Sequence, residues 1–204
     1  MKQRSKKFKK GIVMSMVLAC SLVFGTVGAS AASSATSTSK TVKTASTTPV
    51  VSKKGVITLP KKFKTKTVMT ELRPEAAKLI KIYGTSLGDG KTDNFKAYAQ
   101  KHLVAKTSTN YMLGYGYSLD NYKYKVKGTR KANSKAKIAS YSKAVKKVTT
   151  SQIKNEDSYV GTGFATFEFS FQPKNYSPMN RINVYLKFSQ LQNGKYVLET
   201  ISYF

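Results

Sequence analysis

The C-terminal third of the chain alternates apolar and polar residues, and this pattern constrains the fold more than any other feature. Apolar residues occupy every second position of two runs: Phe167, Phe169, Phe171, Ile182, Val184, Leu186 and Phe188. The dipeptide Asn193-Gly194 then precedes a third apolar run at 196–204 and is typical of a two-residue hairpin turn. Because alternate side chains of a strand point to the same face, the sequence predicts an antiparallel meander with one buried face.

Two helices are predicted before this meander. Apolar residues at helical spacing over 72–83 end at Gly84, a residue that commonly follows the end of a helix. After a turn rich in glycine, Thr92 or Asp93 can cap a second helix that extends to residue 103. The fold class is therefore α+β, with two N-terminal helices packed on a curved antiparallel sheet.

The segment between the helices and the meander is harder to assign. Tyr122, Tyr124 and Val126 alternate with lysines at 123, 125 and 127, which predicts a strand whose outer face is a row of lysines. Residues 135–148 fit an amphipathic helix, because apolar residues recur at helical spacing, but their β-branched end also fits a strand.

The N-terminus has the pattern of an export signal. Residues 2–10 carry six positive charges and precede an apolar run at 11–29, and small residues at 29–31 predict cleavage near Ala31. A lipoprotein anchored through Cys20 is the alternative. We predict a signal peptide at 1–31, a flexible spacer rich in Ser, Thr and Lys at 32–70, and a single domain at 71–204.

Positive charge is concentrated in the first two thirds of the chain. The formal net charge is +27, from 36 Lys+Arg and 9 Asp+Glu. Residues 40–147 contain 25 basic and 5 acidic residues, whereas residues 151–204 contain 5 and 4. The densest stretch, 123–147, has no acidic residue and supplies the predicted polyanion-binding residues: Lys123, Lys125, Lys127, Arg130, Lys131, Lys135, Lys137, Lys143, Lys146 and Lys147.

The predicted partner follows from compartment and residue type. An exported Gram-positive-type protein meets anionic, phosphate-rich wall polymers and anionic lipid surfaces. Lysine greatly outnumbers arginine after residue 31, with 27 Lys against 3 Arg, and lysine acts as a point charge rather than a bidentate fork. We therefore predict a secreted or wall-associated, noncatalytic basic protein that binds an anionic wall polymer or lipid surface, and no specific binding of nucleic acid.

Residues 76–103 and 180–204, two helices joined by a Gly-Asp-Gly turn and a final hairpin, together resemble the nuclear-transport-factor-2-like, or ketosteroid-isomerase-like, superfamily. The resemblance implies a cone-like domain, and a cystatin-like helix on a curved sheet is the alternative. Enzymatic members place an Asp or Asp/His base and a hydroxyl donor in the cone. Here the resemblance offers His102, Asp120 and Glu168 as possible pocket residues.

These pocket candidates define an alternative function, a cone-pocket enzyme or small-ligand carrier, and a cationic toxin is a further alternative. No spacing singles out an acid–base pair among the candidates, so the sequence favours a noncatalytic protein. One Cys and one His exclude a disulfide framework within the chain and a Cys-rich or multi-His metal site. We predict no cofactor and no metal.

Overall fold

The structure of the protein is a computed structural model that describes residues 49–104, 114–177 and 180–204. Its elements are β1 (Thr58–Leu59), α1 (Thr65–Asp89), α2 (Asp93–His102), α3 (Gly114–Lys131), α4 (Lys135–Lys146), a 3-10 helix (Thr150–Gln152), β2 (Lys154–Gly161), β3 (Phe164–Phe171), β4 (Ile182–Gln190) and β5 (Tyr196–Tyr203). The predicted α+β class is confirmed.

The five strands of the described residues form one curled antiparallel sheet in the order β1-β5-β4-β3-β2. Phe167 on β3 lies opposite Leu186 on β4, which lies opposite Ile201 on β5. A bulge places one extra residue, Glu199, in β5, and such an insertion increases the local twist of a strand. The predicted three-stranded meander is confirmed as β3, β4 and β5, and Gly194 is left-handed at the last turn (φ 81°). The predicted two-residue hairpin turn is wrong, because Leu191 N–H donates to the Lys195 carbonyl at 2.7 Å and three residues, 192–194, lie between them.

One face of the sheet, called here the core face, carries the apolar positions of the alternating pattern. Its fully or almost fully buried side chains are Ala165, Phe167, Phe169, Phe171, Ile182, Val184, Leu186, Phe188, Leu198, Ile201 and Tyr203. Helix α1 lies against this face, and the hydroxyl of Tyr203 donates to the carbonyl of Leu79 in α1 at 3.1 Å. The core therefore sits between α1 and the sheet.

Helix α1 is longer than the sequence predicted, because Gly84 does not end it. The helix continues to Asp89 and ends at Gly90, whose φ of 80° is left-handed. A side chain at position 84 would place a Cβ only 2.9 Å from Val145 Cγ1 of α4. Gly84 is therefore a site of close helix packing, and the hydroxyl of Ser142 donates to its carbonyl at 2.6 Å.

The predicted strand at 122–127 is wrong, since these residues lie within helix α3. Ser118, Tyr122 and Val126 are all buried and recur at every fourth position, which is the spacing of one helix face. Tyr124, which a strand would place beside Tyr122 and Val126, is 81% exposed. A short run in which every second residue is apolar contains the i, i+4 pair of a helix as well, and here the helical period applies.

Helix α3 covers the outer edge of β5. The short strand β1 pairs only with the start of β5, so backbone groups further along the edge need other partners. Ile201 N–H donates to Ser118 Oγ at 3.0 Å, and Tyr203 N–H donates to Asn121 Oδ1 at 2.8 Å. Polar side chains of α3 thus replace a neighbouring strand.

The ambiguity at 135–148 is resolved as helix α4. Its N-terminus begins after Ser134, whose hydroxyl accepts from Lys137 N–H at 3.4 Å. Ile138, Tyr141, Ser142 and Val145 form its buried face. The described helices α3 and α4 therefore occupy the place where the resemblance to the nuclear-transport-factor-2-like superfamily implies a strand, and that resemblance stays a prediction.

The folded chain begins before residue 71, the predicted start of the domain. Val51, Ile57 and Leu59 are buried in the core, and Leu198 N–H of β5 donates to the Ile57 carbonyl at 2.9 Å. Part of the predicted spacer is therefore packed structure. The predicted signal peptide, with Cys20 and Ala31, lies outside the described residues. No helix within the described ranges has both the length and the apolar character needed to cross a bilayer.

Candidate polyanion-binding surface

Helices α3 and α4, with Lys147 directly after α4, carry all ten predicted cations. We call this set the basic surface: Lys123, Lys125, Lys127, Arg130, Lys131, Lys135, Lys137, Lys143, Lys146 and Lys147. Nine of the ten are exposed, and Lys125 is half-buried. On α3, Lys123, Lys127 and Lys131 follow one another at every fourth position and share one face of the helix.

No cation of the basic surface forms an ion pair with a carboxylate among the described residues. No acidic residue occurs between Lys123 and Lys147. Both ion pairs found in the described part of the chain lie in the sheet region, between Arg181 and Glu156 and between Lys187 and Glu199. Burial lowers the pKa of Lys125. The other nine cations face solvent, where they repel one another and attract anions.

Arg130 is held in a fixed orientation by the end of helix α1. Its Nη1 donates to the carbonyl of Leu87 and, at 3.2 Å, to that of Gly88, so it satisfies carbonyls that the helix end leaves without a partner. The guanidinium also lies against Gly90, where an added Cβ would be 3.3 Å from Cζ. Arg130 therefore combines a structural contact with a defined position on the basic surface.

A groove of about 500 Å³ lies between the end of α1, the end of α3 and one side of α4 along its whole length. We call it the basic groove, and its lining residues are Gly88, Arg130, Asn133, Lys135, Ile138, Ala139, Ser142 and Lys146. Three of these are cations and none is acidic. The groove thus offers positive charge, with the amide of Asn133 nearby, to an anionic group of a ligand.

A second cavity, of about 320 Å³, lies on the other side of α4. We call it the tyrosine pocket, and it is lined by Thr129, Asn133, Lys137, Ile138, Ser140, Tyr141, Tyr176 and Asn180. The rings of Tyr141 and Tyr176 meet edge to face with centroids 5.1 Å apart. Ser140 Oγ and the Tyr176 hydroxyl are 2.8 Å apart, and the Tyr141 hydroxyl donates to the Asn180 carbonyl.

The sequence did not indicate the tyrosine pocket. Tyr176 and Asn180 lie on the connection between β3 and β4, 36 residues after Ser140 and 39 residues after Tyr141 respectively, and neither belongs to a recognisable motif. Burial raises the pKa of the Tyr141 hydroxyl, so this group stays protonated and keeps donating its hydrogen bond at neutral pH. The order of helices and strands, not a local pattern, brings the two tyrosines together.

The structure does not bring the three predicted pocket residues together. His102 is buried at the end of α2, where its Nδ1 donates to the Gly55 carbonyl at 2.8 Å. Asp120 is exposed on α3, and Glu168 lies on β3 opposite Tyr185 of β4. No hydrogen bond or ion pair among the described residues joins any two of them. Burial lowers the pKa of His102, which follows from its place in the core.

The core face of the sheet is filled by side chains. Phe167, Phe169 and Phe188 are completely buried there, and Phe167 meets Phe188 edge to face with centroids 5.7 Å apart. A cone-pocket enzyme or small-ligand carrier would place its ligand in this space. The cavities described above lie beside α4 instead.

Within the described ranges, no three His, Cys, Asp or Glu side chains gather as a possible metal site. Comparison with family models, curated proteins and solved structures finds no match for this chain.

Proposed function

We propose that this chain is a secreted, noncatalytic protein that associates with an anionic wall polymer or anionic lipid surface through the basic surface. One observation carries the proposal. The ten cations of residues 123–147 lie on two consecutive helices and at Lys147, nine of them are exposed, and the same stretch contains no carboxylate. Secretion rests on the charged and apolar pattern of residues 2–31.

The cations of the basic surface repel one another. Like charges held on neighbouring helices destabilise the compact state, and bound counterions or a polyanion relieve that repulsion. Each lysine near an anionic surface contributes about 1 kcal/mol of attraction, and salt screens this contribution. Because nine of the ten residues are lysines, apart from Arg130, the attraction follows charge density more than a fixed hydrogen-bond geometry.

The test compares charge reversal on two parts of the protein. Lys123→Glu, Lys127→Glu and Lys131→Glu are combined in one variant, which reverses one stripe of α3. The matched control combines Lys154→Glu, Lys174→Glu and Lys195→Glu, three exposed lysines of the sheet region. Both variants have the same net charge, so a difference between them reports position alone.

Binding to purified cell walls and to phosphatidylglycerol vesicles is measured at about 50 mM and about 500 mM salt, a range over which charge screening increases strongly. We expect the α3 variant to bind about a hundredfold more weakly than the parent protein at low salt, since three attractive charges are lost. The control should lose much less. Equal losses in both variants, or binding that does not depend on salt, would contradict the proposal.

A further inference from the structure

The basic groove and the tyrosine pocket are adjacent sites of different chemistry. They flank α4 and share two lining residues, Asn133 and Ile138. The groove presents Arg130, Lys135 and Lys146, whereas the pocket presents two aromatic rings, an apolar side chain and several polar groups. A ligand that occupies both must carry an anionic group next to a group with apolar faces and polar edges.

The tyrosine pocket suits the group with apolar faces and polar edges. Sugars and polyols present C–H surfaces that pack on aromatic rings and hydroxyls that bond to amides, hydroxyls and ammonium groups. Asn133 uses its Nδ2 in a 2.9 Å bond to the Thr129 carbonyl, which leaves its Oδ1 able to accept from a ligand hydroxyl. The Lys137 ammonium also lines the pocket and is a further donor. The aromatic walls and the few convergent polar groups are the usual features of a small-molecule site.

The basic groove suits the anionic group of the ligand. Arg130 is oriented by the carbonyls of Leu87 and Gly88, and Lys135 and Lys146 follow the same side of α4. A phosphodiester carries one negative charge and exposed oxygen acceptors, which ammonium and guanidinium groups bind as charge-assisted hydrogen bonds.

We therefore propose that the chain binds a polymer of phosphodiester-linked sugar or polyol units, with a phosphate in the basic groove and the neighbouring sugar or polyol in the tyrosine pocket. This inference rests on the proposed function and names its ligand. A flat lipid surface would contact the exposed lysines but would not require a recessed aromatic pocket on the opposite side of α4 from the groove. Because the two cavities share Asn133 and Ile138 near the start of α4, a polymer chain that crosses there can enter both.

The experiment uses three probes with the full chain after residue 31: a poly(glycerol phosphate) that carries sugar substituents, inorganic polyphosphate of matched charge, and phosphatidylglycerol vesicles. The pocket variant is Tyr176→Ala, which removes one aromatic wall. Its matched control is Tyr124→Ala, because Tyr124 is a highly exposed tyrosine of α3 that lies outside both cavities. Ser140→Phe is a second pocket variant: Ser140 is exposed, so this change fills the pocket without altering the core.

We expect Tyr176→Ala and Ser140→Phe each to weaken binding of the substituted poly(glycerol phosphate) about tenfold, on the order of one lost aromatic stacking contact. Both should leave polyphosphate binding within about twofold, a change that corresponds to less than the usual effect of a surface substitution. Tyr124→Ala should change neither. Thermal unfolding of each variant establishes that it is folded under the assay conditions.

The outcomes separate this inference from the proposed function. If the pocket variants weaken all three probes equally, or weaken none, the sugar or polyol subsite is overturned. If only the vesicles bind, the ligand is a lipid surface and the inference is also overturned. In each of these cases a selective loss in the Lys123, Lys127 and Lys131 variant still supports the proposed function, whereas failure of every probe to bind contradicts both.

Discussion

The charged residues of the helices α3 and α4 are distributed differently from those of the sheet β2–β5. The helices, with Lys147 after α4, carry the ten cations of the basic surface; Asp120 is their one acidic residue, and none of the ten cations forms an ion pair among the described residues. The sheet region is nearly neutral, and two of its cations are paired, Lys187 with Glu199 at 3.1 Å and Arg181 with Glu156 at 3.6 Å. A lysine in the sheet can therefore contribute to stability, while a lysine of the basic surface remains available to a ligand.

The largest expected effect contrasts one lysine from each region. Lys187→Met should lower the free energy of unfolding by about 3 kcal/mol, because the fully buried carboxylate of Glu199 loses a compensating cation. Lys127→Met, at an exposed position of α3, should change it by less than about 0.5 kcal/mol. Urea unfolding of both variants measures the difference.

A second substitution sharpens this comparison. Adding Glu199→Gln to Lys187→Met removes the buried negative charge, so the double variant should recover most of the lost stability, and Ser189, which donates its hydroxyl to Glu199, retains an acceptor. If the single variant is as stable as the parent protein, or if the double variant is no better than the single one, the ion pair does not carry the stability that we assign to it.

The two regions also differ in how well the sequence predicts them. The strands β3 and β4 follow from the alternation of apolar residues, because a sheet with one buried face requires this pattern, and β5 follows from the apolar run after Asn193-Gly194. Helix α3 was predicted as a strand, because alternation at Tyr122, Tyr124 and Val126 satisfies both periods over so short a run. The helical spacing of buried residues becomes visible only when Ser118 is counted as buried. This polar residue is buried because it bonds to the edge of β5.

Loss of the contact between Ser118 and the edge of β5 should lower the free energy of unfolding by an intermediate amount. Ser118 Oγ accepts from Ile201 N–H at 3.0 Å and donates to the Gly114 carbonyl at 3.1 Å, and the side chain is completely buried. Ser118→Ala leaves a buried N–H without its partner, so it should cost about 2 kcal/mol. Amide exchange at Ile201 should become faster, which reports the edge of β5 directly.

Ser134→Ala serves as the comparison within the helical region. Ser134 caps α4 from an exposed position with a long bond of 3.4 Å, so its loss should cost no more than about 1 kcal/mol and should leave exchange at Ile201 unchanged. Equal costs for the two variants, or unchanged exchange at Ile201 in Ser118→Ala, would show that the inner face of α3 does not stabilise the edge of the sheet.

The candidate site was predictable in its charge but not in its shape. Lysines are almost never fully buried without a partner charge, so the ten residues of the basic surface could be named from the sequence, although Lys125 is half-buried. The groove depends on contacts between distant segments, such as Arg130 with Leu87. The tyrosine pocket likewise needs Tyr176 to reach Ser140 of α4. Such contacts are set by the packing of elements, which local patterns do not encode.

The smallest expected effect concerns the single histidine of the chain, His102, a buried group in the helical region that can gain a charge near neutral pH. Burial lowers its pKa below the ordinary 6.5, and Lys78 and Lys101 lower it further, while the bond to Gly55 and the charge of Glu75 oppose this shift. The unfolded chain therefore binds a proton at a higher pH than the folded chain does. Stability should fall as the pH drops from about 6.5 toward the folded-state pKa, and it should be independent of His102 above that window.

His102→Asn keeps a donor for the Gly55 carbonyl and removes the titration, so its unfolding temperature should decrease less than that of the parent protein between pH 7.5 and pH 5.5. Identical pH slopes in the two proteins would show that protonation of His102 is not coupled to folding.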